Sequence, residues 1–321
     1  MKFRLRPSLL YSGFVPSTPP PVVLTIAGFD PSSGAGITAD IKTIAAHECY
    51  GISCITGLTV QSTQGVSTIQ PVDPNLVRYT LDQLASDITI HAVHIGMLAN
   101  KACVSAVADF LDRTRPPHIV LDPILKSTSA ADLLDSAGAR LMVERIFPLA
   151  EIITPNLEEA AALAGLALAT TAAASAAGAA SNPTASSTAS LEIMREAARR
   201  LHALGAANVA VTGGHLDKAI DLLSFTTAHG IEQEVFKSER QRSNSTHGTG
   251  CAFSTALACH LAHGRGLPEA VLLSKAYVSA AIAHAHPLGR GTGPLHHLYR
   301  MYEQRRPSQI VADRESPHSR D

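Results

Sequence analysis

From Val22 onward, short runs of β-branched residues alternate with longer segments whose apolar residues recur at helical spacing. That alternation is the signature of βαβ units around a mostly parallel sheet. It predicts strands at Val22–Gly28, Ser53–Gln61, Ala92–Met97, His118–Asp122, Glu151–Thr154 and Asn208–Gly213. Helices are expected near Ile37–His47, Asn75–Ala85, Lys101–Asp112, Asp132–Phe147 and Leu191–Leu204. Two further runs, Ala219–Thr226 and Glu232–Phe236, flank Ala228-His229-Gly230 and predict an edge hairpin. Gly248–His263 and Pro268–His286 read as two helices rich in alanine and leucine.

The 321 residues are 45% hydrophobic and 17% charged, which is enough apolar material for one sizeable core. A single α/β domain is therefore expected over 22–299. Before it stands a leader, 1–21, ending in the stiff Pro19-Pro20-Pro21 spacer. A charged, proline-bearing tail, 300–321, follows. Residues 167–190 carry no charge, and their alanine, serine and threonine content predicts a low-complexity surface insertion with partial disorder.

Lys plus Arg number 26 and Asp plus Glu 27, so no global field exists to hold a nucleic-acid backbone or an anionic membrane. Any polyanion must be gripped locally. The apolar stretch after Met1 is cut by Ser12, Gly13 and Pro16 before it reaches the length of a secretory signal or a membrane span. The five cysteines, Cys49, Cys54, Cys103, Cys251 and Cys259, form neither a CxxC pair nor a zinc pattern. The composition fits a reducing, cytoplasmic setting with free thiols.

Several expected strand ends carry residues suited to a ligand. After the first strand, Gly28-Phe29-Asp30 leads through Gly34-Ala35-Gly36 into a helix holding Asp40. Glycines there permit close backbone approach, and the carboxyl edge of a parallel sheet is where ligands bind. The spacing is too loose for a dinucleotide fingerprint, and no Walker-type loop occurs. Asp40 could face the ligand or be an ordinary solvated helix residue.

The turn Thr246-His247-Gly248-Thr249-Gly250-Cys251 runs straight into an apolar helix. Unpartnered amides and the positive end of the dipole make such a start an anion site, suited to the charge on a phosphoryl group in transfer. A thiol placed there is expected to have its pKa lowered and to serve as a base toward a hydroxyl, unless Cys251 is simply a small packed residue. In Thr154-Pro155-Asn156-Leu157-Glu158-Glu159, Asn156 and Glu159 share a helical face. They either order the water shell of a magnesium ion or form a helix cap. Asp122-Pro123 and Thr212-Gly213-Gly214 close two further strands.

Taken with Tyr50-Gly51, Val60-Gln61-Ser62-Thr63, Ile95-Gly96-Met97-Leu98 and Gly291-Thr292-Gly293-Pro294, these motifs stand in an order that resembles the hydroxymethylpyrimidine and phosphomethylpyrimidine kinases of thiamine biosynthesis. These belong to the ribokinase-like superfamily, and the likeness covers about Val22 to His297. It implies a three-layer sandwich and an ATP- and Mg2+-dependent enzyme. The substrates it implies are 4-amino-5-hydroxymethyl-2-methylpyrimidine and its monophosphate. Gly28, Asp40, Gln61 and Met97 would line the pyrimidine pocket, and Gly248, Thr249, Gly250 and Cys251 would form the anion hole, with Cys251 taking the hydroxyl proton. Asn156 and Glu159 would hold magnesium, while Asp122, Thr212 and Gly214 would lie along the nucleotide. His94 and Thr212 stand where lysine is frequent in such kinases. The resemblance also implies a homodimer. A pyridoxal-type kinase and a non-catalytic sensor on the same fold are the competing readings.

Overall fold

The computed structural model describes residues 18–127, 132–167, 183–213, 219–241 and 243–303. The strands are β1 (Val22–Phe29), β2 (Tyr50–Ser62), β3 (Gly65–Pro71), β4 (Ala92–Ile95), β5 (Ile119–Leu121), β6 (Ile152–Ile153), β7 (Val209–Val211), β8 (Ala219–Thr227) and β9 (Gly230–Ser238). They form one nine-stranded sheet in the order β3-β2-β1-β4-β5-β6-β7-β8-β9. The run from β2 to β7 is parallel, whereas β3 at one edge and β8 and β9 at the other pair antiparallel. After β1 the chain passes to β2 on one side and later returns to β4 on the other. That reversal opens a crevice above the carboxyl end of β1.

The helices are α1 (Gly36–Ala46), α2 (Pro74–Asp87), α3 (Lys101–Thr114), α4 (Ser136–Arg145), α5 (Leu157–Leu163), α6 (Pro183–Ala203), α7 (Thr249–Ala262), α8 (Leu267–Ala283) and α9 (Tyr299–Glu303). Alternate residues of β1 point to opposite layers, as strand periodicity demands. Leu24 and Ile26 join Val77, Leu81, Val104 and Val107 of α2 and α3, while Val23 joins Ile44 of α1 and Phe253 and Leu257 of α7. Because α7 is buried between the sheet, α1 and α8, it is apolar on nearly every face.

Several elements differ from expectation. β2 is longer and continues into β3, a strand the alternation did not predict although Val66, Thr68 and Ile69 favour it. The fourth helix starts only at Ser136, where the Asp135 side chain caps it. Part of the expected insertion is helix, since α6 begins with Pro183 at its first position, where a missing N–H costs nothing. Residues 168–182, like the leader up to 17 and the tail beyond 303, lie outside the described residues.

Candidate active site

Two glycine-rich turns interlock above β1. The Asp30 carboxylate accepts hydrogen bonds from Ser32 N (2.8 Å), Ser32 Oγ (2.7 Å), Gly34 N (3.2 Å) and Ala35 N (2.9 Å), which holds the first turn rigid. Burial pushes this carboxyl up, but the bonds from His247 and Ser32 outweigh it and leave it below the usual range. His247 Nε2, from the second turn, meets Asp30 Oδ2 at 2.9 Å. Gly248, at φ +81°, sits in the left-handed region, and a Cβ there would collide with Gly34 O. The second turn is in turn stitched to 291–294: His247 N donates to Gly293 O (3.0 Å), and Thr292 N donates to Thr63 O of the β2–β3 connection (2.9 Å).

Helix α7 starts at this junction. Its first internal bond is from Ala252 N to Gly248 O (2.9 Å), which places the N–H groups of Gly250 and Cys251 ahead of the helical ladder, as an anion site requires. The Cys251 thiol does not behave as expected at such a place. Burial, and then the charges of Asp122 and Asp40, push it well above the ordinary thiol range, and the Gly36 N–H offsets this only in part. The helix start is outweighed by desolvation and by the carboxylates packed behind it.

Asp122 lies under the same turn. Ser254 Oγ reaches its Oδ2 at 3.2 Å, and a Cβ on Gly250 would stand 3.7 Å from that oxygen. Burial first, then the Glu159 charge, push Asp122 up to about 8. Glu159 is pushed up to about 7 by burial. Asn156 and Glu159 form the helix cap: Glu159 N donates to Asn156 Oδ1 (2.9 Å), and Asn156 N donates to Glu159 Oε2 (3.0 Å). Glu159 Oε1 also accepts from Leu125 N at 3.4 Å. Two buried, mutually repelling carboxylates supply hard oxygen donors that suit a divalent cation keeping most of its waters. Among the described residues no cluster of three or more metal-ligating side chains occurs, so such a cation would take its remaining ligands from water and phosphate.

Asp40 corrects the sequence reading. It neither faces a ligand nor sits in solvent. It is fully buried, with Thr255 Oγ1 on Oδ1 (2.9 Å), Thr25 Oγ1 on Oδ2 (2.7 Å) and His94 Nδ1 at 3.4 Å. Its oxygens are taken from behind the site, and helical periodicity could not tell the inward face from the ligand face. On its far side His94 Nε2 meets Ser254 Oγ at 3.2 Å, linking Asp40 to Asp122 through two side chains.

Gly28 and Met97 are brought together, since a methyl on Gly28 would collide with Met97 Cε. The Gln61 amide sits between Thr59 Oγ1 (3.0 Å) and His247 Nε2 (3.0 Å), one hydrogen bond from the α7 turn. Thr212 is tied to the exit of β6 through its N–H to Pro155 O (2.9 Å) and its carbonyl from Leu157 N (3.0 Å). Next to it, Gly213 N donates to Asp221 Oδ1 (3.0 Å), whose other oxygen holds the buried Lys275 ammonium at 2.6 Å. Gly214 lies outside the described residues. The roles of Asp30, Thr59, His247 and the Asp221–Lys275 pair were not assigned from sequence. The Asp30 and His247 motifs were visible, but no local signal pairs residues so far apart.

A mostly parallel sheet with antiparallel strands at both edges, and a central helix whose start is lodged against the turn after β1, define a ribokinase-like kinase fold. A family model described as phosphomethylpyrimidine kinase matches residues 30–188 and 179–296, and the chain belongs to that family. It is 38% identical over 278 residues to the hydroxymethylpyrimidine/phosphomethylpyrimidine kinase of Salmonella typhimurium, covering 86% of this chain and 97% of that one. It is 42% identical over 278 residues, 86% of its length, to the thiamine biosynthesis bifunctional protein ThiED of Geobacter sulfurreducens, of which it spans only 52%. Among solved structures it resembles a phosphomethylpyrimidine kinase from Clostridium difficile, with TM-score 0.66 and 32% identity over 82% of this chain and 99% of that one. It also resembles a pyridoxal kinase from Bacillus subtilis solved as an ADP complex, with TM-score 0.73 and 31% identity over 88% and 99% of the two chains.

Proposed function

We propose that the protein transfers the terminal phosphoryl group of ATP to the hydroxymethyl oxygen of 4-amino-5-hydroxymethyl-2-methylpyrimidine, and then to the resulting monophosphate. The observation that carries this reading is the 3.0 Å contact between the Gln61 amide and His247 Nε2. It joins the side chain suited to read a pyrimidine edge to the helix start suited to receive a phosphoryl group.

Gln61 meets the ring edge, and the bare Cα of Gly28 beside Met97 gives the ring face its space. The N–H groups of Gly250 and Cys251, with Gly248 and Thr249 shaping the turn, stabilise charge spreading onto the equatorial oxygens. The hydroxyl proton leaves late in a loose transition state and passes to Cys251, whose high pKa makes its thiolate a strong base held in small population. Asn156 and Glu159 would hold a hydrated Mg2+, which would neutralise phosphate charge. Asp122 and Thr212 would lie along the nucleotide; Gly214, expected beside them, is outside the described residues. Asp40 acts from behind, through His94. The family resemblance further supports a cytoplasmic homodimer; light scattering at micromolar concentration tests the dimer. No helix among the described residues is long and apolar enough to cross a membrane.

Mass analysis of products after incubation with ATP, Mg2+ and the free pyrimidine tests substrate and second transfer together. Competition against pyridoxine decides the nearest rival, which has the Bacillus subtilis neighbour behind it. Preferential turnover of pyridoxine removes the reading, and ADP release with neither alcohol would make the protein a sensor.

A further inference from the structure

Helices α1 and α7 begin at the interlocked turns of the active site, and their far ends meet in a second junction that the reaction does not use. Both ends are closed in the same way. Beyond α1, Glu48 takes the left-handed conformation (φ +58°), with Glu48 N donating to Ala45 O (3.2 Å) and Cys49 N to Ile44 O (3.2 Å). Beyond α7, Gly264 (φ +77°) repeats this, with Gly264 N donating to Leu261 O (2.8 Å) and Arg265 N to His260 O (3.1 Å). Such paired bonds satisfy the last carbonyls of a helix and turn the chain sharply back. In α1 that reversal carries Cys49 beneath the exposed Glu48 and Tyr50, where 8% of it still meets solvent.

His263, which caps α7, reaches across to α1. Its Nε2 lies 2.8 Å from His47 O and 3.3 Å from Cys49 Sγ. A carbonyl only accepts, so Nε2 carries a proton, and its positive edge stands beside the sulfur. From the other side the fully buried Cys259 thiol of α7 donates a hydrogen bond to Cys49. That bond, and then the nearness of His263, hold the Cys49 thiol below the ordinary range although burial pushes it up. The other four thiols go the opposite way. Burial pushes Cys54 up to about 12, Cys103 up to about 11, and Cys251 and Cys259 well above the ordinary range. The thiolate is the nucleophile, so one sulfur of the five is set apart for attack and a second thiol stands against it.

We propose that Cys49 and Cys259 form a dithiol that a hydroperoxide oxidises to an intramolecular disulfide, tying the far end of α1 to α7. The Cys49 thiolate attacks one oxygen of hydrogen peroxide, the O–O bond breaks, and the leaving hydroxide takes the proton that Cys49 released and departs as water. The resulting sulfenic acid faces Cys259. The Cys259 sulfur attacks the sulfenic sulfur, the S–O bond breaks, and the Cys259 proton leaves with that oxygen as a second water. Each sulfur loses one electron, and the peroxide is reduced to water. A thiol reductant reverses the bond by exchange. The disulfide closes a loop of more than half the chain, which restricts the unfolded state. It also joins, at their far ends, the two helices whose starts build the active site. The pair lies outside the phosphoryl-transfer machinery and does not depend on which alcohol is the substrate.

The test exposes the full-length protein to hydrogen peroxide and follows intact mass, free thiols and melting temperature. Wild type is expected to lose the mass of two hydrogen atoms and two of its five thiols. Proteolysis then yields a peptide pair cross-linked at Cys49 and Cys259. The oxidised protein melts at a higher temperature, and dithiothreitol restores the starting mass, thiols and melting temperature. Cys259→Ala stops at the sulfenic acid of Cys49, which dimedone captures, whereas Cys49→Ser takes up no dimedone under the same exposure. Oxidation that falls first on another cysteine, a sulfenic acid that persists on Cys49 in wild type, or no loss of thiols from the folded protein overturns the proposal. Wild type alone decides it if either variant does not fold.

Discussion

Asp40 and His94 face each other at 3.4 Å with no exposed side-chain surface on either. Burial alone would push the imidazole down, but the neighbouring Asp40 carboxylate outweighs it and raises it. Removing one partner leaves a buried charge unpaired. His94→Leu should therefore cost about 3–5 kcal/mol of stability in urea, and Asp40→Asn added to it should restore part of the loss. Equal stability of His94→Leu and wild type would show that Asp40 carries no charge there.

Cys251→Ala should reduce turnover by about 10²–10⁴-fold if the thiolate takes the hydroxyl proton, with pyrimidine affinity in calorimetry largely kept. Because the thiol is raised, wild-type kcat should climb with pH through the alkaline range, and the variant should lose that slope. A variant as fast as wild type would make Cys251 a packing residue.

Glu159→Gln separates the helix cap from the metal role. A glutamine at this position keeps the capping bonds but loses the charge, so the melting temperature should hold or rise while the Mg2+ concentration for half-maximal rate increases. Chelation should abolish transfer in wild type and added Mg2+ restore it. An unchanged Mg2+ requirement in the variant would remove Glu159 from the metal site.

Gly248→Ala places a Cβ against Gly34 O in a backbone region that strains alanine. Loss of transfer, with a lowered melting temperature, is expected. Full activity would mean the two turns separate without consequence.

Stability should fall as pH drops from about 6.5 to about 4. His47, His260 and His297 are each pushed down to about 4, chiefly by burial. They stay neutral in the folded chain while the unfolded chain takes up protons near the ordinary value of 6.5, so acid favours unfolding. Their contribution is fully present above 6.5 and is lost as pH falls through about 4. Melting curves across this window should flatten when His260 is replaced by glutamine; an identical slope would refute the assignment.

The alternation of β-branched and helical segments made β1 and β4 legible as short apolar runs buried on both faces, and the β8–β9 hairpin legible from the turn residues between its two runs. β3 escaped, since its exposed residues make no apolar stripe. The glycine turns after β1 and before α7 were readable from the local sequence, whereas Gln61 and Met97 entered only through the family resemblance. Asp40 was misplaced because helical spacing fixes a face relative to the helix and not relative to the ligand. The Cys251 thiol was misjudged because the carboxylates that raise it come from other parts of the chain.

The bond from Thr292 to Thr63 joins parts of the polypeptide made early and late on the ribosome. A nascent chain can assemble most of its sheet while this strap is still unsynthesised, and the anion turn is then held only by the contacts of His247 with Asp30 and Gln61. The contacts of the strap with Thr63 and His247 are therefore among the last that a chain growing from its N-terminus is able to make.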